Sequence, residues 1–202
     1  METSEKAVIF PANEMSKNDL IETILMIIYK ILDYTSLSEE RTHSIFDQNY
    51  FKQELDSDKL STSSSSNDEI SDIYNSKKEE NYTLHDYFYF WTKTLEFNEN
   101  LLLLTMMNID KLLSKDFILT FDNIKNTLFT CMIITQKNYE DNNFNDKDYA
   151  KILEVSTEEI INMELKFLEY IDFSLYISDK DFDKYKEKIC KIWKDNLSFL
   201  RF

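Results

Sequence analysis

Glycine is absent from all 202 residues of this chain, and proline occurs once, at Pro11. Glycine is the residue that enters positive-φ turns without steric cost, so tight hairpins and phosphate-cradling loops lean on it. A chain without it is a poor candidate for a sheet-rich fold or a nucleotide-binding loop, and an all-α protein is the expectation. Apolar content is ample for a core. With 43% hydrophobic and 14% aromatic residues, wholesale disorder is excluded.

Apolar residues recur at helical spacing through most of the chain. Leu20, Ile21, Ile24, Leu25, Ile27, Ile28, Ile31 and Leu32 predict a helix over 18–34, capped by Ser16 or Asn18, within an N-terminal segment of residues 1–51. Residues 35–50 are ambiguous, with room for one more helical turn. Between 52 and 80 the pattern gives way to Ser, Asp, Glu, Asn and Lys, including the run Ser63–Ser66. Too little apolar surface lies there to offset the entropy of ordering, so a disordered acidic loop is expected.

A tight series of helices follows. Thr83 heads one carrying Leu84, Tyr87, Phe88, Trp91 and Leu95, and Asn98 heads another over Glu99–Ser114. Thr120 or Asp122 opens a third, with Ile124, Leu128, Cys131 and Met132 inward. A short turn is expected around Asp148–Leu153. Ser156 and Glu159 form a capping box for a helix with Ile160, Met163, Phe167, Leu168 and Ile171. A last helix begins near Ser178 and occupies the C-terminal segment 178–202.

The 38 acidic and 23 basic residues give a net charge of −15. Nucleic acid would be repelled, because affinity for it comes largely from Lys and Arg neutralising phosphates. A basic protein partner suits such a surface better. Cys131 and Cys190 sit inside apolar helical patterns and read as reduced residues of an intracellular protein, nuclear or cytoplasmic. Met1–Phe10 lacks the basic start and long apolar run of a signal peptide. The run Leu20–Leu32 is short for a bilayer and is broken by Glu22 and Lys30, so no membrane span is expected.

Catalysis finds little support. The chain has no phosphate loop, nucleophile elbow or Cys/His metal spacing, and its two histidines, His43 and His85, are far apart. No enzyme activity, cofactor or metal is expected. Two charged residues stand where the apolar pattern calls for a hydrophobe. Glu164 lies four residues from both Ile160 and Leu168, and Lys137 lies four residues after Ile133. Charges on a packed face are costly unless paired, so the two are candidates to meet. Alternatively, Lys137 caps a helix C-terminus and Glu164 lies at the stripe's edge.

Several segments in order resemble the P/U-type cyclin box. Tyr82-Thr83-Leu84-His85-Asp86-Tyr87 resembles its "SIxDY" opening, and Asn108-Ile109-Asp110-Lys111-Leu112-Leu113 resembles "YIDRFL". Leu119-Thr120-Phe121-Asp122-Asn123-Ile124 is similar to the "LTSLNVHRLL" start, and Gln136-Lys137-Asn138-Tyr139-Glu140-Asp141 to "AKFxDD". Asp148-Tyr149-Ala150-Lys151-Ile152 resembles "FYAKVGG" up to its glycines. Asn162-Met163-Glu164-Leu165-Lys166-Phe167-Leu168, with Ile171-Asp172-Phe173, is similar to "NRLExxFLxxLDF".

The resemblance implies a single five-helix cyclin box over 82–177 with flanking N- and C-terminal helices. It also implies a regulatory subunit, monomeric until it binds and activates a cyclin-dependent protein kinase in cell-cycle or cell-division control. In that family the lysine ending the third box helix and the glutamate of the fifth pair at the kinase interface. Here these are Lys137 and Glu164. The implied interface adds Tyr139, Leu168, Phe173 and Leu175 as apolar contacts, with Glu140 or Asp141 meeting a kinase arginine. Asn138 departs from the family's Phe, and Leu153-Glu154 from its paired glycines, which implies another path for that loop. Lys111 replaces an Arg, weakening any bidentate contact there. The rival readings are a cyclin-fold adaptor and a transcription-factor-like scaffold without a kinase.

Overall fold

The computed structural model describes residues 15–36, 82–141 and 143–199, so the expected 52–80 loop and most of the ambiguous 35–50 stretch lie outside the described residues. The described residues form seven helices and no strand: α1 (Lys17–Ser36), α2 (Leu84–Thr94), α3 (Glu99–Leu113), α4 (Ile124–Tyr139), α5 (Asp146–Leu153), α6 (Thr157–Tyr170) and α7 (Asp179–Phe199). α2–α6 form the five-helix box, and α1 and α7 flank it. α3 and α4 make the most extensive pair, α6 packs on both α4 and α5, and α1 and α7 lie against α3 and each other.

Helix starts follow the polar residues that precede them. Thr83 and Ser156 make reciprocal capping boxes with Asp86 and Glu159, and Asn98 accepts from the Leu101 amide. Ser16 rather than Asn18 caps α1, exchanging hydrogen bonds with Asp19. Two starts differ from expectation. Neither Thr120 nor Asp122 caps α4. Asn123 there accepts from the Thr120 amide and donates to the Ile118 carbonyl, closing a turn that delays the helix to Ile124. The expected turn near Asp148 is a two-turn helix, because Asn145 caps it by accepting from the Asp148 amide.

Helix ends show how a glycine-free chain stops. Glu96, Asp116, Glu154 and Asp172 take positive φ, the left-handed position usually given to glycine. The next residue's amide then reaches back across each end, from Phe97 to Thr92, Phe117 to Leu112, Val155 to Ala150 and Phe173 to Leu168. Glu154, at φ 62° and ψ 42°, thus makes a left-handed turn without the family's glycines. Each such residue costs about 1 kcal/mol or more relative to glycine.

The core centres on α4, which is buried nearly all round from Ile124 to Gln136. Trp91 of α2 packs against Phe129 in a tilted pair with ring centroids 4.7 Å apart, and Tyr149 of α5 meets Phe129 edge-on at 6.4 Å. In α1, Leu20, Ile24, Ile28 and Leu32 are fully buried at four-residue spacing. Fully burying side chains of this kind contributes roughly 1.5–3 kcal/mol each. Several buried polar groups turn to the backbone or to each other, though the Trp91 indole N–H and the Thr127 hydroxyl do not. Thr105, Thr130 and Thr135 bond carbonyls one turn back, and the Asn108 amide donates to Thr135 at 3.0 Å, joining α3 to α4. Cys131 is buried and Cys190 half-buried, and both are free thiols.

Candidate partner-binding site

The last turns of α4 place two adjacent polar side chains in different surroundings. Gln136 points into the core, donating to the Leu95 carbonyl and accepting from the Tyr149 hydroxyl, each at 2.9 Å. Lys137 follows about 100° further round the helix and reaches the surface between α5 and α6. Its ammonium lies 2.5 Å from Asp146 Oδ1 and 2.6 Å from Glu164 Oε1. It donates to Glu164 Oε2 at 2.8 Å. The ammonium thus lies close to both oxygens of the Glu164 carboxylate, the buried Oε1 included.

The two partners respond unequally. Burial disfavours the Lys137 ammonium, but the hydrogen bonds it donates to Asp146 and Glu164, with their negative charges, outweigh it and raise its pKa above the ordinary lysine value. Burial raises the Glu164 pKa from its ordinary value, and Lys137 offsets this only in part while Asp146 adds to it. One cation shared between two carboxylates leaves the more buried carboxylate under-compensated. The set carries one uncompensated negative charge at the surface.

An apolar row, exposed at two of its three positions, runs beside Glu164 on α6. Ile161, Leu165 and Leu168 fall at i, i+4 and i+7 on α6, one helical row around Glu164, and the first two are each 47% exposed. Beyond α6 the chain turns at Asp172 and Phe173 into the 172–176 loop. There Phe173 and Tyr176 stand 62% and 83% exposed. Tyr139 closes α4 beside this loop, its hydroxyl in a long 3.5 Å contact with the Leu175 carbonyl.

Every residue expected at the site lies in this part of the fold. The structure brings Lys137 and Glu164 into direct contact. Tyr139 and Phe173 are exposed, while Leu168 and Leu175 are half-buried against the core. Glu140 is half-buried with its Oε1 3.4 Å from the Asn98 amide nitrogen, and Asp141 is exposed at the turn. Sequence reasoning missed Asp146, which precedes the short turn expected around Asp148–Leu153, and missed Ile161 and Leu165. The last two carry a readable signal, since they are apolar residues off the buried Ile160–Met163–Phe167 stripe.

Among the described residues no group of three or more His, Cys, Asp or Glu is placed to hold a metal ion. No described helix is long and apolar enough to cross a membrane.

Comparison with known proteins adds a family. The family model described as Cyclin matches residues 30–175, from within α1 to the loop after α6. PHO85 cyclin-7 of Saccharomyces cerevisiae is 33% identical over 79 residues, 39% of this chain and 28% of that protein. Cyclin-U2-1 of Arabidopsis thaliana is 31% identical over 72 residues, 36% of this chain and 32% of its own length. Cyclin-U1-1 of the same plant is 33% identical over 63 residues, 31% of this chain and 30% of its own. The aligned stretch therefore spans less than a third of each relative.

Proposed function

The chain belongs to the cyclin family, with P/U-type relatives, and from that membership we propose that it is a regulatory subunit binding and activating a cyclin-dependent protein kinase. The observation that carries the reading is the Lys137 ammonium held between Asp146 and Glu164 beside exposed apolar side chains of α6. Buried charge at an otherwise apolar surface is costly to stability, which argues that it serves recognition rather than folding.

In this reading α4, α5 and α6 pack against the kinase's mobile C helix and activation segment. Tyr139, Leu168, Phe173 and Leu175 supply apolar contact, joined by Ile161 and Leu165. Lys137 and Glu164 form the polar anchor, and Glu140 or Asp141 meets a kinase arginine. Docking removes the remaining water from the anchor and strengthens its interactions. The chain does no chemistry itself. By binding only the active arrangement of the kinase, it shifts the population toward that arrangement.

Affinity purification of the tagged chain from its own cells, followed by a kinase assay with the purified pair, tests the proposal. A co-purifying cyclin-dependent kinase whose activity rises with added chain is the expected result. Recovery of the chain without any kinase would favour the adaptor instead.

A further inference from the structure

We propose that Lys111 is a positioning residue of this surface, pinning the 172–176 loop in the shape that holds Phe173 and Tyr176 out toward a partner. The need for a partner rests on the function proposed above. The pin itself rests on geometry.

Lys111 lies in the last turn of α3, where a lysine ordinarily serves its own helix end. Here it serves another segment. Its ammonium donates to the Ser174 and Leu175 carbonyls at 2.9 Å each, and the Tyr176 carbonyl follows at 3.4 Å. An ammonium has three donors, and three consecutive carbonyls of one loop take them. Burial without a carboxylate among these contacts lowers the Lys111 pKa, so the arrangement costs the lysine something.

The loop needs such a holder. Asp172 and Phe173 sit at φ 53° and 56°, two successive non-glycine residues in the left-handed region. For an aromatic residue this is a real strain, and it persists only where surrounding contacts over-determine it. Ring burial does not hold Phe173, which is mostly exposed, and Tyr176 is more exposed still. The Phe173 and Ser174 amides bond the Leu168 and Ile171 carbonyls, both within the same local turn. The Lys115–Asp172 pair at 2.6 Å also reaches across, but both side chains are open to water, where such pairs contribute little. Leu175 packs half-buried against the core and the Tyr139 hydroxyl makes a long 3.5 Å contact with its carbonyl, but among the described residues Lys111 alone spans three consecutive loop carbonyls, two of them at 2.9 Å. A point charge with rotatable donors suits three fanned carbonyls, so Lys in place of the family's Arg fits this task.

Lys111→Met keeps the apolar stem and removes the donors. Amide exchange at residues 174–177 is expected to quicken at least about tenfold, with α3 and α4 unchanged. Affinity for the kinase should fall about tenfold, Lys111→Arg should recover most of it, and melting should barely move. In a Phe173→Ala, Tyr176→Ala background the same substitution should cost no further affinity, a result that general destabilisation would not produce. Unchanged exchange in the loop, or an equal affinity loss in that background, overturns the proposal. If Lys111→Met does not fold, Lys111→Gln is measured in the same way against the same criteria. If the wild-type chain binds no kinase, the proposed function fails, and loop exchange alone decides whether Lys111 is the pin.

Discussion

Gln136 and Lys137 are neighbours on α4, and each ties three parts of the box together under opposite electrostatic conditions. Gln136 is 4% exposed and neutral, and its amide joins the end of α2 to α5 through the Leu95 carbonyl and the Tyr149 hydroxyl. Nothing charged is desolvated, and both ends of the amide are paired. Lys137, with its side chain 29% exposed, joins α5 to α6 through Asp146 and Glu164. It does so with three charges, two of which burial penalises, and only for Lys137 do the partners outweigh that cost. The neutral link suits a permanent scaffold. The charged link is expensive at rest and becomes stronger when a partner excludes water, which suits recognition.

Breaking the neutral link should have the largest effect on stability. Gln136→Ala takes the acceptor from the buried Tyr149 O–H and the side-chain donor from the buried Leu95 carbonyl, at about 3 kcal/mol in total. For a domain of this size the melting temperature falls by roughly 10 °C. Kinase affinity of the folded fraction should hold. A calorimetric scan with a binding titration checks both, and a loss of affinity exceeding the loss of folded protein would blur the contrast.

Breaking the charged link should do the reverse. Lys137→Ala is expected to lower kinase affinity about 30-fold, or ~2 kcal/mol, the scale of an interface hot spot. Stability should drop less than for Gln136→Ala, because water still reaches the site and screens the freed carboxylates.

The smallest effect is expected from Glu164→Gln, and it carries a pH signature. The folded-state pKa of Glu164 is raised, so the folded chain holds its proton over a range where the unfolded chain has lost it. Stability therefore falls as pH rises from the ordinary glutamate value of 4.5 through the raised folded value. Glu164→Gln should remove that component and change stability at neutral pH by under about 1 kcal/mol. Melting curves across pH 4–8 for both proteins test it, and identical curves would contradict the assigned cost.

Much of this division was legible in the sequence. Helical periodicity located α2, α3, α6 and α7, and Thr83, Asn98 and Ser156 marked the first three of their starts, because a cap is a local event between residues three apart. The Lys137–Glu164 contact was foreshadowed for a similar reason, since a charge on an apolar row shows within one helix. Three features were not legible. Asp146 pairs with Lys137 across a chain reversal, and an acidic residue in so acidic a chain stands out from nothing. Lys111 bonds carbonyls, which carry no residue identity. The left-handed helix ends at Glu96, Asp116, Glu154 and Asp172 were hidden because their usual marker, glycine, is missing.

The central claim is that Lys137 and Glu164 act as one coupled anchor for a kinase. A double-mutant cycle on kinase affinity, using Lys137→Ala, Glu164→Ala and the double variant, tests it most directly. Coupled residues should lose less together than the sum of their separate losses, by at least about 0.5 kcal/mol. Losses that simply add, or singles that bind like the wild type, would make Lys137 and Glu164 ordinary surface charges and contradict the account.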